Sequence, residues 1–286
     1  MDGHALPAPP LEAGLHVVAT PIGHLDDIGL RALKTLAAAD LVLAEDTRHT
    51  GRLLRHFSIT ARLMPYHKHN ATRQRPRILA MLRDNRALAL VSDAGMPLIS
   101  DPGGKLVAEA AAAGLPVRVI PGPSAVTAAL AVSGLATERF LFAGFPPPKR
   151  AARRKWLAEL TGVAATLILF ESPHRIVDSL KDMAEVLGDR DAALCRELTK
   201  LHEEVRRAPL ATLAANLGGR ETVRGEITLV IAPPDGQPEA SPEEIEAALK
   251  EALTDLPPAR AAAQVAARFG LARRQVYELA LKMKKA

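Results

Sequence analysis

The sequence predicts two α/β domains followed by a small helical region of helix–turn–helix type. Three observations carry that prediction. Short β-rich apolar runs alternate with Ala/Leu-rich helical patterns through the first part of the chain, which is how βαβ units on a largely parallel sheet read. A Pro/Gly cluster, LFAGFPPPKR at 141–150, breaks the alternation, and a second set of apolar runs follows it. A Pro-rich linker, APPDGQPEASP at 232–242, then sets off a helical tail. A length of 286 residues fits two domains and an appendage. With 48% hydrophobic residues but only 3% aromatics, the core must be built mostly from Leu, Val, Ile and Ala.

The N-terminus, MDGHALPAPPLEAG, lacks a basic region followed by an apolar stretch and reads as a loose tail, not a signal peptide. The first domain, 14–122, has strands at 15–19, 41–44, 87–92 and 116–120. Helical patterns lie between them in GLRALKTLAAA, TRQRPRILAMLRD and KLVAEAAAAG. The second, 123–233, carries ATLILF, DAALCREL and EITLVIA, with fewer helices between them and a mixed sheet expected. After the linker, Ser241-Pro242-Glu243-Glu244 opens a helix, with Ser as N-cap, Pro at the first position and Glu at the third. In the tail, 241–286, Gly270 is the expected tight turn. Ala266 lies four residues before it, and Val276 and Leu279 lie six and nine after it. That spacing suits two crossing helices, with Arg273, Arg274, Gln275 and Tyr277 toward the exposed face of the second.

Composition bounds the chemistry. A single cysteine, Cys195, excludes an internal disulfide and a multi-cysteine zinc site, and points to a reducing, cytoplasmic setting. It sits in the apolar run AALC, where a thiol serves as a small buried hydrophobe. The longest apolar run, near GVAATLILF, is far too short for a membrane span. The net charge of +5 favours a polyanionic partner, depending on where the cations lie. No GxGxxG or GxxxxGK[ST] pattern follows a strand, which argues against a dinucleotide fold and a P-loop; the lack of HExxH or CxxC gives no indication of a metal.

Ligands of doubly wound sheets bind beyond the carboxyl ends of the strands. Five successive loops there are elaborate: ATPIGHLDD, AEDTRHTGRLL, PYHKHNATRQR, SDAGMPLISDPGG and IPGPSA. In the fourth, Gly95, Gly103 and Gly104 allow close backbone approach, while Pro97 and Pro102 stiffen the path. Asp93 and Asp101 flank it, each also suited to an Asx cap.

The ordered set TPIGHLDD, AEDTRHTGRLL, YHKHN, SDAGMPLISDPG, PGPSA, FAGFPPPK, FESPHR and RELTKLHEE resembles the ribosomal RNA small-subunit methyltransferase I family. These are the 16S rRNA cytidine 2′-O-methyltransferases of the tetrapyrrole methylase superfamily. The resemblance spans about 14–233, and the tail is similar to that family's C-terminal region. It implies S-adenosylmethionine as methyl donor, bound between two α/β domains of tetrapyrrole-methylase type. It also implies a cytoplasmic homodimer acting on the decoding centre of the small ribosomal subunit's RNA. Carried over residue by residue, the donor site comprises Pro21, Asp93, Ala94, Gly95, Met96, Ile99, Ser124, Ala125, Glu171, Ser172 and Gly225. The family usually has Thr where this chain has Met96 and Asn where it has His24, so contact at Met96 is expected from backbone alone.

Methylating a hydroxyl calls for alignment and for a group to take its proton. The candidates are Lys200 and Glu203 in RELTKLHEE, then Asp46 and His67. Lys200 needs a lowered pKa for that role, from burial or a cationic neighbour such as Arg196; the alternative for Lys200 and Glu203 is a surface ion pair. Arg48 and Arg175 would hold phosphates or pin loops through carboxylates, and His67, His69 and Asn70 would meet the target nucleotide. The run KRAARRK offers Lys149, Arg150, Arg153 and Arg154 either as a solvated helix face or as phosphate contacts, and Arg273 and Arg274 would contact RNA from the tail. Two other functions fit parts of the sequence: a tetrapyrrole C-methyltransferase, and a non-enzymatic nucleic-acid-binding regulator built on the tail.

Overall fold

A computed structural model describes residues 9–219, 223–234, 242–269, 271 and 273–283. It contains two five-stranded sheets, each flanked by helices. In the first, β1 (Gly14–Val18), β2 (Leu41–Ala44), β3 (Leu63–Pro65), β4 (Ala87–Val91) and β5 (Val117–Ile120) run parallel in the order β3-β2-β4-β1-β5. β1 and β4 are buried along their whole length, as expected of central strands covered on both faces. Two helices, α1 (Leu30–Ala38) and α2 (Thr47–His56), pack on one face through Leu33, Leu36, Leu53 and Leu54. On the other lie α3 (Ala71–Arg83) and α4 (Gly104–Ala112), through Ile78, Leu82 and Leu106. The chain moves outward from β1 to β3 and then back to β4 and β5. Right-handed crossovers therefore put α1 and α2 on one face and α3 and α4 on the other.

The second sheet has the order β6-β7-β10-β8-β9. Its strands are β6 (Phe140–Gly144), β7 (Thr166–Glu171), β8 (Asp191–Arg196), β9 (Glu204–Pro209) and β10 (Ile227–Ile231). β6 and β7 are parallel and every other pair is antiparallel, so the sheet is mixed. Its helices are not fewer than those of the first: α5 (Ala125–Ser133), α6 (Arg150–Ala158), α7 (Ile176–Leu187) and α8 (Leu210–Gly218) cover it. α5 packs through Val126, Ala129 and Leu130 against Ile168, Ala193 and Val230, so the chain has joined the second sheet as soon as it leaves the PGPSA loop. The 141–150 cluster, expected to be a break, begins as edge strand β6; its prolines fall just after it.

The tail folds as three helices, α9 (Pro242–Asp255), α10 (Pro258–Phe269) and α11 (Arg273–Met283), around a core of their own that includes Leu249, Ala262, Val265, Ala266 and Val276. Ala266 and Val276 are buried, Leu279 packs against them, and Arg273, Arg274 and Gln275 are exposed. The expected cap Ser241 and turn Gly270 lie outside the described residues. No helix among the described residues is long and apolar enough to cross a membrane.

Candidate active site

A cavity of about 370 Å³ opens between the two sheets, within the range that holds a small molecule. Ile22, Ala94, Gly95, Met96, Ile99, Ser100 and Asp101 wall it from the first sheet; Ser124, Ala125, Phe145, Phe170, Glu171, Ser172, Leu198, Gly225 and Glu226 wall it from the second. The β4 loop is held there by a bridge to the β1 loop. Thr20 N donates to Gly95 O at 2.9 Å, and Gly95 N donates to Thr20 O at 3.1 Å. Gly95 has φ +77°, a left-handed conformation that costs glycine little.

Nine of the residues expected at the donor site line this cavity, namely Ala94, Gly95, Met96, Ile99, Ser124, Ala125, Glu171, Ser172 and Gly225. Two do not. Pro21 is buried, and Ile22 beside it takes the wall position. Asp93 faces the β2 loop instead, where its Oδ1 accepts from Asp46 N at 3.0 Å. The backbone of Gly95, expected to contact the ligand, is already paired with Thr20, so this residue gives shape more than hydrogen bonds. The Glu171 carboxylate is likewise occupied: it accepts from Ser172 N, from Ser179 and from Arg175 Nη2 at 2.7 Å.

The proton-taking candidates fare differently. Lys200 donates to Glu197 at 2.8 Å and to Glu226 at 3.0 Å. Burial would lower its pKa, but those two carboxylates outweigh burial and hold it above the ordinary value. Arg196, expected beside it, bonds Glu204 at 3.0 Å. Lys200 is therefore a fixed cation and lacks the lowered pKa a base needs. Glu203 is exposed and caps the turn by accepting from Thr199 N, so it is not the partner of Lys200. Asp46 is the N-cap of α2; hydrogen bonds from Arg48 hold its pKa down, to about 2, which makes it a feeble base. His67 stands outside the cavity wall, its ring 5.9 Å from that of His69.

The expected RNA contacts also divide. Asn70 is buried and spent on its own loop, accepting from His67 N and donating to Pro65 O, both at 2.9 Å. It cannot read a nucleotide without breaking that loop. Arg175 pins the ESPHR loop by donating to Ser172 Oγ at 3.1 Å and pairing with Glu171. Arg153 is buried, with its guanidinium on Asp182 at 2.6 Å; Arg150 and Arg154 join it on Asp182 and reach Glu185. The KRAARRK run is thus largely neutralised by α7, leaving Lys149 and Lys155 exposed at its two ends. Arg48 pairs with Asp46 at 3.1 Å, His69 is exposed, and Arg274 pairs with Glu278 in the tail.

The sequence reading passed over one group. Asp101 lies in the cavity wall, and burial together with Asp93 pushes its pKa up while Ser92 partly offsets them. Glu45, at the end of β2, is also pushed up, by burial and then by Asp101 and Asp93. Two loops, those after β2 and β4, thus bring three carboxylates together beside the cavity. Burial first, and repulsion from the neighbouring carboxylates after it, sets Asp101 apart as a proton acceptor. Asp101 was visible only as the flank of a motif, because Glu45 is remote in sequence. The cavity wall holds Asp101, Glu171 and Glu226, and no Lys, Arg or His. Among the described residues no cluster of three or more His, Cys, Asp or Glu is placed to hold a metal ion.

Comparison with known proteins fits this architecture. The family described as Tetrapyrrole (Corrin/Porphyrin) Methylases matches residues 14–214, and the family described as RsmI C-terminal HTH domain matches 239–284. Ribosomal RNA small subunit methyltransferase I of Mesorhizobium japonicum is 46% identical over 280 residues, 98% of this chain and 95% of that protein. The protein of the same name from Escherichia coli O157:H7 is 44% identical over 269 residues, 93% of this chain and 94% of its own. Among solved structures, uroporphyrin-III-C-methyltransferase from Thermus thermophilus covers 76% of this chain and 93% of its own, with 24% identity and a TM-score of 0.54. A further structure of that enzyme, complexed with S-adenyl homocysteine, has 22% identity and a TM-score of 0.52, covering 76% of this chain and 96% of its own. With one family pattern running through both sheets and relatives matched nearly end to end, the chain belongs to the tetrapyrrole methylases, in the branch of ribosomal RNA small subunit methyltransferase I.

Proposed function

We propose that this protein uses S-adenosylmethionine to methylate the ribose 2′-hydroxyl of a cytidine in the decoding centre of small-subunit 16S ribosomal RNA. The observation that supports the donor most is the makeup of the cavity wall, which gathers nine of the eleven expected donor-site residues from both sheets. Two of its three carboxylates are paired, Glu171 with Arg175 and Glu226 with Lys200, which leaves Asp101 as the wall's one carboxylate without a paired cation to favour a sulfonium. The relatives' names, carried over a match that is nearly end to end, support the substrate.

The nine shared wall residues would hold the donor, with Phe145 and Phe170 closing its apolar side. S-adenosylmethionine, when bound, supplies an electrophilic methyl group. Asp101 takes the proton that the ribose hydroxyl gives up, in place of Lys200. Lys200 keeps its charge and fixes Glu226 in the wall, and burial, with a smaller push from Asp93, raises the proton affinity of Asp101. Edge strands β5 and β6 expose Val119 and Phe140, which supports a second copy of the chain as the partner that covers them. A ribosomal substrate and a lone thiol, 1% exposed, support work in the cytoplasm.

The deciding experiment incubates the protein with labelled donor and undermethylated small subunits, then maps the product by mass spectrometry. A methyl on the ribose of one cytidine is expected. Label on a base, or none on the RNA, refutes the proposal.

A further inference from the structure

From Thr47 to Arg83 the chain has eight arginines, one lysine and four histidines, and no aspartate or glutamate. The net charge of the whole chain is only +5, so everything outside this stretch is net negative. The basic character that suggested a polyanionic partner therefore resides here, and not in the KRAARRK run that α7 neutralises.

The fold wraps this stretch around one rim. β3 is the edge strand of the first sheet, with α2 on one face and α3 on the other. Arg48, Arg52 and Arg55 recur at i, i+4 and i+7 and share the exposed stripe of α2. Arg73 and Arg77 repeat the spacing on α3, and Lys68 and His69 stand on the loop between β3 and α3, all exposed. Carboxylates answer two of the arginines: Arg48 pairs with Asp46, and Arg75 with Glu109. Among the described residues, Arg52, Arg55, Arg62, Arg73 and Arg77 have no carboxylate within ion-pair distance. Like charges four residues apart on a helix destabilise it slightly. A rim that keeps two such pairs without intervening acids is matched to negative charge from outside.

The rim also leads to the cavity. Asp46 N, at the head of α2, donates to Asp93 on the donor loop. Lys68 lies close enough to Glu45 to offset part of its raised pKa, and Glu45 in turn feels Asp101 in the wall. We infer that the α2–β3–α3 rim holds the phosphodiester backbone of the substrate RNA and delivers the target nucleotide to the Asp101 side of the cavity. The inference rests on the proposed RNA substrate. A phosphate backbone bound by Lys and Arg releases counterions, so affinity falls steeply with salt.

The test uses the full chain with Arg55→Ala, Arg73→Ala and Arg77→Ala combined, beside a control with Lys155→Ala and Lys181→Ala, exposed cations of α6 and α7. Three assays are run on each: calorimetric binding of S-adenosylmethionine, anisotropy binding of a small-subunit RNA across a salt series, and methyl transfer to undermethylated subunits. For the rim variant, donor affinity and melting temperature stay unchanged. RNA affinity drops at least about tenfold, and the slope of log K against log salt falls by about 2 to 3, near one for each phosphate no longer neutralised. KM for subunits rises while kcat holds. The control matches wild type throughout. A rim variant with unchanged RNA affinity and salt slope overturns the inference, as does an equal drop in the control. So does retention of the wild type on anionic vesicles that the rim substitutions abolish while RNA binding stays intact. Wild type that binds RNA through the rim yet transfers no methyl to it would sink the proposed reaction and leave the rim assignment standing.

Discussion

At the scale of single residues, the cavity is shaped by backbone that most side chains avoid. Leu98 and Ser100 have φ +77° and +69°, and Ile99 between them faces the cavity. Glu197 and Thr199 have φ +51° and +63°, and Leu198 between them does the same. Each loop thus turns one apolar side chain into the site by placing a left-handed residue on either side, and such strain collects where function over-determines the backbone. Gly225 belongs to the same device. A Cβ there would stand 2.5 Å from Glu197 Cγ, so Gly225→Ala should displace Glu197, release Lys200 and weaken donor binding several-fold by calorimetry; unchanged affinity would show that the close approach is idle. Asp101 gives a second prediction. Asp101→Asn should lower kcat about a hundredfold while leaving donor affinity within a few-fold. In wild type, kcat/KM should fall in acid at a pH above the ordinary carboxylate range, since Asp101 must be unprotonated to work. The stability sign is opposite. A carboxyl whose folded pKa is raised costs stability above its unfolded pKa and nothing below it. Asp101→Asn should therefore melt no lower than wild type at neutral pH, with any gain vanishing in strong acid. A variant that keeps full kcat returns the base to an unassigned group.

At the scale of elements, α6 and α7 show what the sequence could and could not say. The KRAARRK run was legible as a helix face, but its purpose depends on an acid on another helix. Asp182 is buried, and although burial alone would raise its pKa, Arg150 and Arg153 hold it below the usual range. Asp182→Ala leaves Arg153 buried without its partner and should cost about 3–5 kcal/mol by urea denaturation. Arg153→Met with Asp182→Leu should recover most of that. A loss under about 1 kcal/mol for the single change would mean water reaches Arg153 easily. Wild type should lose the pair's contribution as pH drops below the ordinary aspartate range, because the folded pKa is depressed. The same contrast explains the strands. The buried strands β1, β2, β4, β7, β8 and β10 announced themselves as apolar runs. Two edge strands did not: EVRRAP of β9 is polar, and FLFAG of β6 runs into three prolines, whereas edge strand β5 was legible from its alternating VRVI. α2 was hidden inside a loop motif, since TRHTGRLLRH reads as polar until its buried Thr50, Leu53 and Leu54 are set against a sheet. The donor wall was legible because its residues sit in short contiguous motifs. The approach of Glu45 to Asp93 and Asp101 was not, because it is a product of the pairing of β2 with β4.

At the scale of the whole molecule, the two sheets share the cavity while the tail keeps a separate core. Leu249, Ala262, Val265, Ala266 and Val276 pack among α9, α10 and α11, and none of the cavity's walls comes from them. A unit with its own core, joined through a Pro-rich stretch, can be removed without exposing the buried surface of its neighbours. Deletion of residues 241–286 should therefore leave donor affinity and the melting of the two-sheet body unchanged. The exposed cations Arg273 and Arg274 stand at the head of α11, and Arg274 is only weakly occupied by exposed Glu278. They can add contacts to a large polyanion that already lies along the α2–β3–α3 rim. Contacts from two linked units multiply affinity through effective concentration, so the deletion should weaken subunit binding more than it weakens binding of a short RNA that reaches only the rim. Measuring both affinities for the full chain and the truncated one separates the outcomes. Equal weakening would put the tail on the same stretch of RNA as the rim, and no change for either substrate would leave the tail without a binding role.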